Sequence, residues 1–122
     1  MTFPKLLTHL LSKKGAWEDF PFDMETLVIK AGPKMFALIG LEYDPLKIGL
    51  KCDPEHAEGL RAIYPAVEPA YHMHKRHWNT VTLDGSIPDK VIYEMIDESY
   101  ELVIRSMTKA ERENLGTVSR KK

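Results

Sequence analysis

The chain has 122 residues, of which 43% are hydrophobic and 29% are charged, and its formal net charge at pH 7 is −1. This length and composition predict one globular domain with a proper core. The near-zero net charge excludes a global field that would draw the protein onto nucleic acid or an anionic membrane, so any such binding needs a local patch.

Cysteine usage and hydropathy indicate the cellular setting. Cys52 is the single cysteine, so no internal disulfide can form, and the N-terminus shows no signal-peptide pattern. We therefore expect a protein of the reducing cytoplasm. The longest apolar runs, such as residues 35–41, are far too short to span a bilayer, so we expect no membrane partner.

The first quarter of the chain predicts a helix followed by a loop. Residues 2–14 carry leucines with helical spacing and end before a glycine, which is typical of a helix stop. Residues 16–23 predict a loop in which Trp17, Phe20 and Phe22 lie among acids and either dock on the core or line a pocket.

Three strands are predicted next. Residues 26–31 and 35–41 are rich in β-forming residues and flank a Gly-Pro-Lys turn, so they predict a hairpin. The strict alternation of residues 46–51 predicts a strand with one covered face and an opposite, partly wet face that carries Lys47 and Lys51.

A second helix and two further strands follow. Residues 53–64 predict the helix, because an aspartate cap and a proline in the first turn are typical of a helix start. Residues 67–73 and 77–83 predict strands that join through residues 74–76. The second of these strands alternates threonines with apolar residues, as a half-wet antiparallel strand does.

The chain ends in a long helix and a basic tail. Ser86 and Asp89 resemble a capping box, and a helical apolar stripe then continues to about residue 109. Residues 116–122 predict a polar, basic and flexible tail. The acidic side of the last helix, which is either a solvated face or a contact for a protein partner, consists of Glu94, Asp97, Glu98 and Glu101.

These elements predict a single α+β domain over residues 1–115 in the order α-β-β-β-α-β-β-α. Short connections and meandering strands favour an antiparallel sheet of about five strands with the helices packed on one face.

Residues 71–81 concentrate the unusual side chains, including three of the five histidines, one tryptophan and two adjacent cations, with no acid. On a strand, His72 and His74 would project to the same side, and His77 would approach across the turn, which resembles a metal site in ligand number. However, no carboxylate or thiol accompanies them and the adjacent cations repel a metal ion. We therefore predict no metal site and no cofactor.

No catalytic set is complete, so we predict that the protein is not an enzyme. Neither candidate serine nucleophile lies in a Gly-x-Ser-x-Gly turn. Cys52 precedes a helix start, but neighbouring Asp53 opposes thiolate formation, so we expect an inert thiol. His56 is expected to be exposed and inert. Asp97 and Glu98 point to different sides of their helix and are interpreted as solubility charges.

A basic turn beside an aromatic residue favours nucleic-acid binding. Lys75 and Arg76 lie at the tip between the two predicted strands, next to Trp78 and Asn79. Such cations follow phosphates, asparagine and arginine read base edges, and tryptophan stacks on unpaired bases. Lys47 and Lys51 widen this basic patch if the strand of residues 46–51 lies next to the tip that carries Lys75 and Arg76. The alternative is that Lys75 and Arg76 are ordinary solvent-exposed residues without a ligand and that Trp78 anchors the core.

The same stretch resembles the signature of the MmcQ/YjbR family of small bacterial proteins. The matching motifs are Tyr71-His72-Met73, Lys75, His77-Trp78-Asn79-Thr80-Val81, Leu83-Asp84-Gly85 and Pro88-Asp89. Further matching segments are Pro21-Phe22, Lys34-Met35-Phe36-Ala37, Leu50-Lys51-Cys52-Asp53-Pro54, Tyr64-Pro65 and Ser99-Tyr100-Glu101-Leu102. The match runs from about residue 6 to residue 111. His74 departs from the pattern, in which asparagine is more usual.

The resemblance implies a frataxin-like (CyaY-like) α+β fold and a DNA-binding role through a double-wing arrangement of strands and loops. In this expectation basic side chains meet phosphate, Asn79 or His77 meets a base or the backbone, and Trp78 holds the loop against the sheet. The predicted DNA-binding residues are Lys47, Lys51, Lys75, Arg76, His77 and Asn79, supported by His72 and Trp78.

Two alternatives stay open. A protein-interaction or small-ligand module would place its pocket between the aromatic loop of residues 16–23 and the histidine stretch. The frataxin-like shape also serves iron-binding proteins, which use an acidic helix and edge. The first predicted helix, residues 2–14, has no acids, which argues against that transfer.

Overall fold

The structure is a computed structural model that describes residues 1–115, and the basic tail predicted at residues 116–122 lies outside the described residues. The elements are α1 (Phe3–Leu11), β1 (Ala16–Asp19), β2 (Thr26–Ala31), β3 (Lys34–Gly40), β4 (Lys47–Lys51), α2 (Pro54–Ile63), β5 (Val67–Pro69), β6 (Trp78–Thr82), α3 (Asp89–Arg105) and α4 (Lys109–Glu113).

The strands form one antiparallel sheet in the order β1-β2-β3-β4-β6-β5. The predicted α+β class is confirmed, but the sheet has six strands instead of about five. The additional strand is β1, which the sequence predicted as a loop. Its four residues are all half-buried, so no alternation marks it. Pairing with β2 and a 2.8 Å hydrogen bond from Trp17 Nε1 to the Gly32 carbonyl hold it in place.

The helices pack on one face of this sheet, as predicted. α3 contacts β2, β3 and β4, α1 contacts β1, and α2 contacts β5. Within residues 1–115, each helix is too short or too polar to cross a lipid bilayer. The core between the two layers includes the fully buried side chains of Leu6, Leu10, Ile29, Ile39, Ile48, Val81, Ile92 and Ile96. Burial of each such side chain contributes about 1.5–3 kcal/mol to folding.

The C-terminal helical region differs from the prediction in its start and its end. Pro88 takes the N-cap position of α3 without a side-chain hydrogen bond, and Ser86 instead bonds Asp84, so the predicted capping box of Ser86 and Asp89 is wrong. α3 ends at Arg105 rather than near residue 109, and α4 then begins with a capping box between Thr108 and Glu111.

The connection between β5 and β6 is longer than predicted. The strands end at Pro69 and resume at Trp78, so the segment 70–77 is an eight-residue loop rather than a three-residue tip. Backbone hydrogen bonds from Met73 to Ala70 and from His77 to His74 fold it into successive turns. Because these turns use backbone groups within the loop, the sheet ladder cannot extend through it.

Candidate functional site

The sheet face opposite the helices holds a groove of about 640 Å³. Its floor is formed by Leu38, Gly49 and Thr80, which lie side by side because Gly49 pairs with Leu38 of β3 and with Thr80 of β6. None of the described helices contributes a lining residue. The groove is therefore a property of the open sheet face and of the loops that border it.

Two glycines shape this groove. A Cβ atom at Gly49 would meet only ordinary contacts, the nearest being Leu38 at 3.8 Å, so the middle of the floor is low and open. At Gly40 a Cβ atom would approach Tyr43 Cδ2 to 2.6 Å, because the tyrosine ring packs directly on the glycine. Gly40 thus allows the 41–46 turn to fold over β3 and form one wall.

Aromatic side chains form much of the walls. Phe22 and Tyr71 are 64% and 62% exposed, and Tyr43 is also exposed. Two of these rings carry a cation: Lys47 Nζ lies 4.8 Å from the centroid of Tyr43, and Lys75 Nζ lies 5.1 Å from the centroid of Tyr71. Tyrosine faces attract cations through the ring quadrupole, so both walls already bind positive charge.

Carboxylates outnumber cations along the groove. Asp23, Glu42 and Glu68 line it, against Lys47 and the imidazole of His72. Hydrogen bonds from the backbone amides of Glu25 and Thr26 lower the pKa of Asp23, so this group stays ionised at neutral pH. Within residues 1–115, neither glutamate lies within ion-pair distance of a cation.

The predicted cations come from two segments, β4 and the 70–77 loop. Lys47 and Lys51 share the open face of β4, as the alternation predicted, and face Thr82 and Trp78 of β6 in register. Lys75 and Arg76 are exposed on the 70–77 loop. A 2.7 Å bond from the Cys52 amide to the His77 carbonyl ties that loop to the end of β4.

Asn79 does not belong to this surface. Its side chain faces the helix layer, is 2% exposed, and accepts a 2.7 Å hydrogen bond from Arg61 Nε while donating to the Ala57 carbonyl at 3.4 Å. Its amide therefore holds α2 onto β6 and is not oriented to read a base. Trp78 is 8% exposed, its backbone amide donates to the His74 carbonyl, and its carbonyl accepts from the Ala70 amide.

The histidines of the loop stay apart as ligands. His72 is exposed and lines the groove, whereas the rings of His74 and His77 lie edge to face at 4.6 Å. His72 and His74 lie in the 70–77 loop and not on a strand, so the strand alternation that was expected to put them on one side does not apply. In the described part of the chain these three do not form a metal-ligand cluster.

The structure also separates residues that the sequence grouped. Of the three aromatics in residues 16–23, only Phe22 lines the groove. On α3, Glu94 and Glu101 are exposed, but Asp97 and Glu98 contact histidines of α1 and α2, so the predicted acidic partner face is divided. The sequence did not reveal that Tyr43, Leu38 and the acids Asp23, Glu42 and Glu68 line the groove. Only the alternation in residues 46–51 indicated which side chains reach the open face.

The comparison with a protein-family model decides the family. The YjbR model matches residues 11–102, which is most of the chain. The chain belongs to the YjbR family. This confirms the family resemblance seen in residues 71–81.

Individual relatives of this YjbR-family chain agree. The Escherichia coli protein YjbR is 36% identical over 115 residues, which cover 94% of this chain and 98% of that protein. A crystal structure of a Deinococcus radiodurans protein with a DUF419 domain superposes with a TM-score of 0.87 at 44% identity, covering 94% of this chain and 88% of the other. A Pseudomonas syringae protein gives a TM-score of 0.71 at 30% identity, over 84% of this chain and 98% of that one.

Proposed function

We propose that this YjbR-family protein is a binding module, not an enzyme, and that its ligand occupies the groove on the open sheet face. The observation that carries this proposal is the groove itself: a floor of three side-by-side strand residues, with walls of exposed aromatics from three separate loops. Concave, largely apolar sites with a few polar groups are the usual form of ligand sites. This deepens one alternative left open by the sequence, since Phe22 and His72 border the groove from opposite sides.

The wall chemistry favours a ligand with a flat apolar body and a cationic group. The rings of Tyr43 and Tyr71 already hold lysine ammonium groups at about the distance of a cation–π contact. Glu42 and Glu68 supply negative charge, and within the described residues neither forms an ion pair. A ligand amine can therefore replace a lysine over a ring and gain a carboxylate in addition.

A charge series tests this proposal directly. Phenyltrimethylammonium, neutral N,N-dimethylaniline and benzenesulfonate share an aromatic ring and differ in charge. We expect the cation to shift the amide NMR signals of Leu38, Gly49 and Thr80, and to bind about tenfold more tightly than the neutral probe, since cation–π and carboxylate contacts of about 1–2 kcal/mol give that ratio. Equal affinity for all three probes would contradict the proposal.

A matched pair of glycine variants shows where the probe binds. Gly49→Phe raises a side chain from the groove floor into open space and should abolish the shifts while leaving the fold intact, because aromatic residues are well accommodated in β-strands. Gly59→Ala changes an exposed glycine of α2, where a Cβ meets nothing within 4 Å, and should bind as the wild type does. Binding that persists in Gly49→Phe would place the probe elsewhere.

DNA binding is the second candidate, and one observation favours it. Lys47 and Lys51 share the open face of β4. The loop that carries Lys75 and Arg76 is hydrogen-bonded next to the Lys51 end of that strand. Neutralising about three phosphates gives a slope of roughly −3 for log K against log salt concentration. DNA would lie along the Lys51 end and the loop, because the groove acids repel phosphate.

Titration of a labelled duplex at several salt concentrations tests this candidate. Lys75→Glu/Arg76→Glu should remove binding, whereas Lys90→Glu, at an exposed position on α3, should leave it almost unchanged. Equal affinity of the double variant and the wild type, or no binding at low salt, would eliminate DNA as the ligand. The charge series on the groove stays informative in either case.

A further inference from the structure

A second cluster of reactive side chains lies on the opposite side of the sheet. Cys52 Sγ is 3.6 Å from His56 Nδ1 and 3.6 Å from Glu98 Oε2, and His56 Nδ1 is 2.5 Å from Glu98 Oε1. The donor atoms of all three residues lie within 4.8 Å of one another. This is the one group of its kind in residues 1–115.

Local structure explains why these residues meet. Cys52 directly follows β4, and α2 begins two residues later, so its first turn brings His56 back beside the thiol. Glu98 comes from α3 and is fixed at this point because its Oε2 accepts a 3.2 Å hydrogen bond from the Asp53 amide. The next residue, Ser99, holds α3 to the sheet by accepting from the Lys51 amide at 2.9 Å and donating to the Phe36 carbonyl at 2.6 Å.

The arrangement does not suit nucleophilic catalysis. In a thiol–imidazole–carboxylate relay the two ring nitrogens serve different partners, whereas here His56 Nδ1 faces both the thiol and the carboxylate. Burial, followed by the neighbouring Glu98 carboxylate, raises the pKa of the Cys52 thiol to about 12. Without a cation at the cluster, the sulfur is protonated and a poor nucleophile at neutral pH.

The distances do suit a tetrahedral metal ion. Bond lengths of about 2.3 Å to sulfur, 2.05 Å to nitrogen and 2.0 Å to oxygen place tetrahedral donors about 3.6 Å apart for S···N and about 3.5 Å apart for S···O. The observed separations from Cys52 Sγ to both partners are 3.6 Å. Glu98 contacts the thiol through Oε2 and His56 through Oε1, so its carboxylate must rotate to present one oxygen to the metal, and the contact between His56 and Glu98 must widen from 2.5 Å to about 3.3 Å.

We propose that Cys52, His56 and Glu98 form a binding site for Zn²⁺ or a similar borderline divalent cation. One thiolate, one imidazole and one carboxylate match the ligand preference of zinc and exclude Mg²⁺ and Ca²⁺, which require oxygen donors. The thiol gives up its proton to solvent as the metal enters, and His56 coordinates through an unprotonated Nδ1 with the ring proton on Nε2. The His56 side chain is 53% exposed, so the fourth coordination position opens to solvent.

Titration of the reduced full-length chain with Co²⁺ tests the site, because tetrahedral Co²⁺ with a thiolate ligand gives visible d–d bands and a near-ultraviolet charge-transfer band. We expect one equivalent of Co²⁺ to produce both bands and Zn²⁺ to abolish them. Cys52→Ser should remove the charge-transfer band, and His56→Gln or Glu98→Gln should weaken binding at least about tenfold, as loss of one of three ligands does.

The matched control is His9→Gln. His9 also contacts an α3 carboxylate, Asp97, but no thiol is present there, so its loss should leave the Co²⁺ spectrum unchanged. Absence of the charge-transfer band in the wild type, or a band that survives in Cys52→Ser, would overturn the proposal. If Cys52→Ser does not fold, unchanged Co²⁺ affinity in both His56→Gln and Glu98→Gln would overturn it equally.

Discussion

Asp97 and Glu98 are neighbours on α3, yet they contact opposite sides of the helix layer. Asp97 Oδ1 lies 2.8 Å from His9 Nε2 of α1 and 2.5 Å from Nζ of Lys13, which comes two residues after the end of α1. Glu98 reaches the start of α2, where it contacts His56 at 2.5 Å and Cys52 at 3.6 Å. One residue along a helix is a rotation of about 100°, which is why adjacent carboxylates diverge.

The contacts of Asp97 and Glu98 differ in chemistry because a different third side chain lies beside each histidine–carboxylate pair. Beside Asp97, the Lys13 ammonium pairs with the carboxylate and balances its charge. The ring of His9 also stacks on Tyr93 of α3, with the centroids 4.2 Å apart, so this contact joins α1 to α3. Beside Glu98 the corresponding position is held by the Cys52 thiol, which is a donor for a metal and not a cation. The same pair of residue types therefore makes a structural contact at α1 and a potential ligand set at α2.

The largest expected effect comes from the residue that positions both carboxylates. Ser99 is fully buried, and its hydroxyl bonds the Lys51 amide and the Phe36 carbonyl. Ser99→Ala removes two hydrogen bonds from a fully buried position, so we expect a loss of roughly 2–4 kcal/mol in the free energy of unfolding, measured in urea. Ser12→Ala, which removes an exposed hydroxyl bonded to the His9 carbonyl, should change it by less than about 0.5 kcal/mol. A small effect for Ser99→Ala would show that α3 is positioned by its apolar face alone.

A second prediction, which rests on the proposed metal site, distinguishes Asp97 from Glu98 by the effect of Zn²⁺ on thermal stability. At a free Zn²⁺ concentration of about 100 times the dissociation constant, binding to the folded state adds about 2.7 kcal/mol to its stability. We expect the thermal unfolding temperature of the wild type and of Asp97→Asn to rise on Zn²⁺ addition, and that of Glu98→Gln to rise by about half as much or less, because binding at least tenfold weaker leaves at most about 1.4 kcal/mol. An equal rise in both variants would mean that the metal binds away from Glu98.

Sequence reasoning predicted the features that depend on local periodicity. The alternation in residues 46–51 placed Lys47 and Lys51 on the open face, and the helical spacing of Asp97 and Glu98 put them on different sides, both as observed. β1 was missed because an edge strand of four half-buried residues has no pattern to detect.

The features that depend on packing were not predicted. Cys52 and Glu98 are 46 residues apart and meet only because α3 crosses β4, which no local pattern encodes. The Cys-x-x-x-His spacing of Cys52 and His56 across a helix start was the one available signal for the cluster, and His56 was instead expected to be inert. Similarly, the groove needs Gly49 and Thr80 in register, which follows from strand pairing rather than from either segment alone.

The smallest expected effect concerns the completed ion pair at α1. Burial acts to raise the pKa of Asp97, but hydrogen bonds from Lys13 and His9 outweigh it and lower that pKa. The stabilisation is therefore present above the ordinary aspartate pKa of 3.8 and is lost as the pH falls through the folded value. Because the carboxylate is partly exposed, we expect Lys13→Met to cost only about 0.5–1 kcal/mol at pH 7, measured by urea unfolding. That cost should disappear at a pH low enough to protonate Asp97, whereas Lys5→Met, at an exposed position on α1, should cost little at either pH. A cost for Lys13→Met that is equal at both pH values would mean that packing of the lysine stem, and not its charge, stabilises the contact with α3.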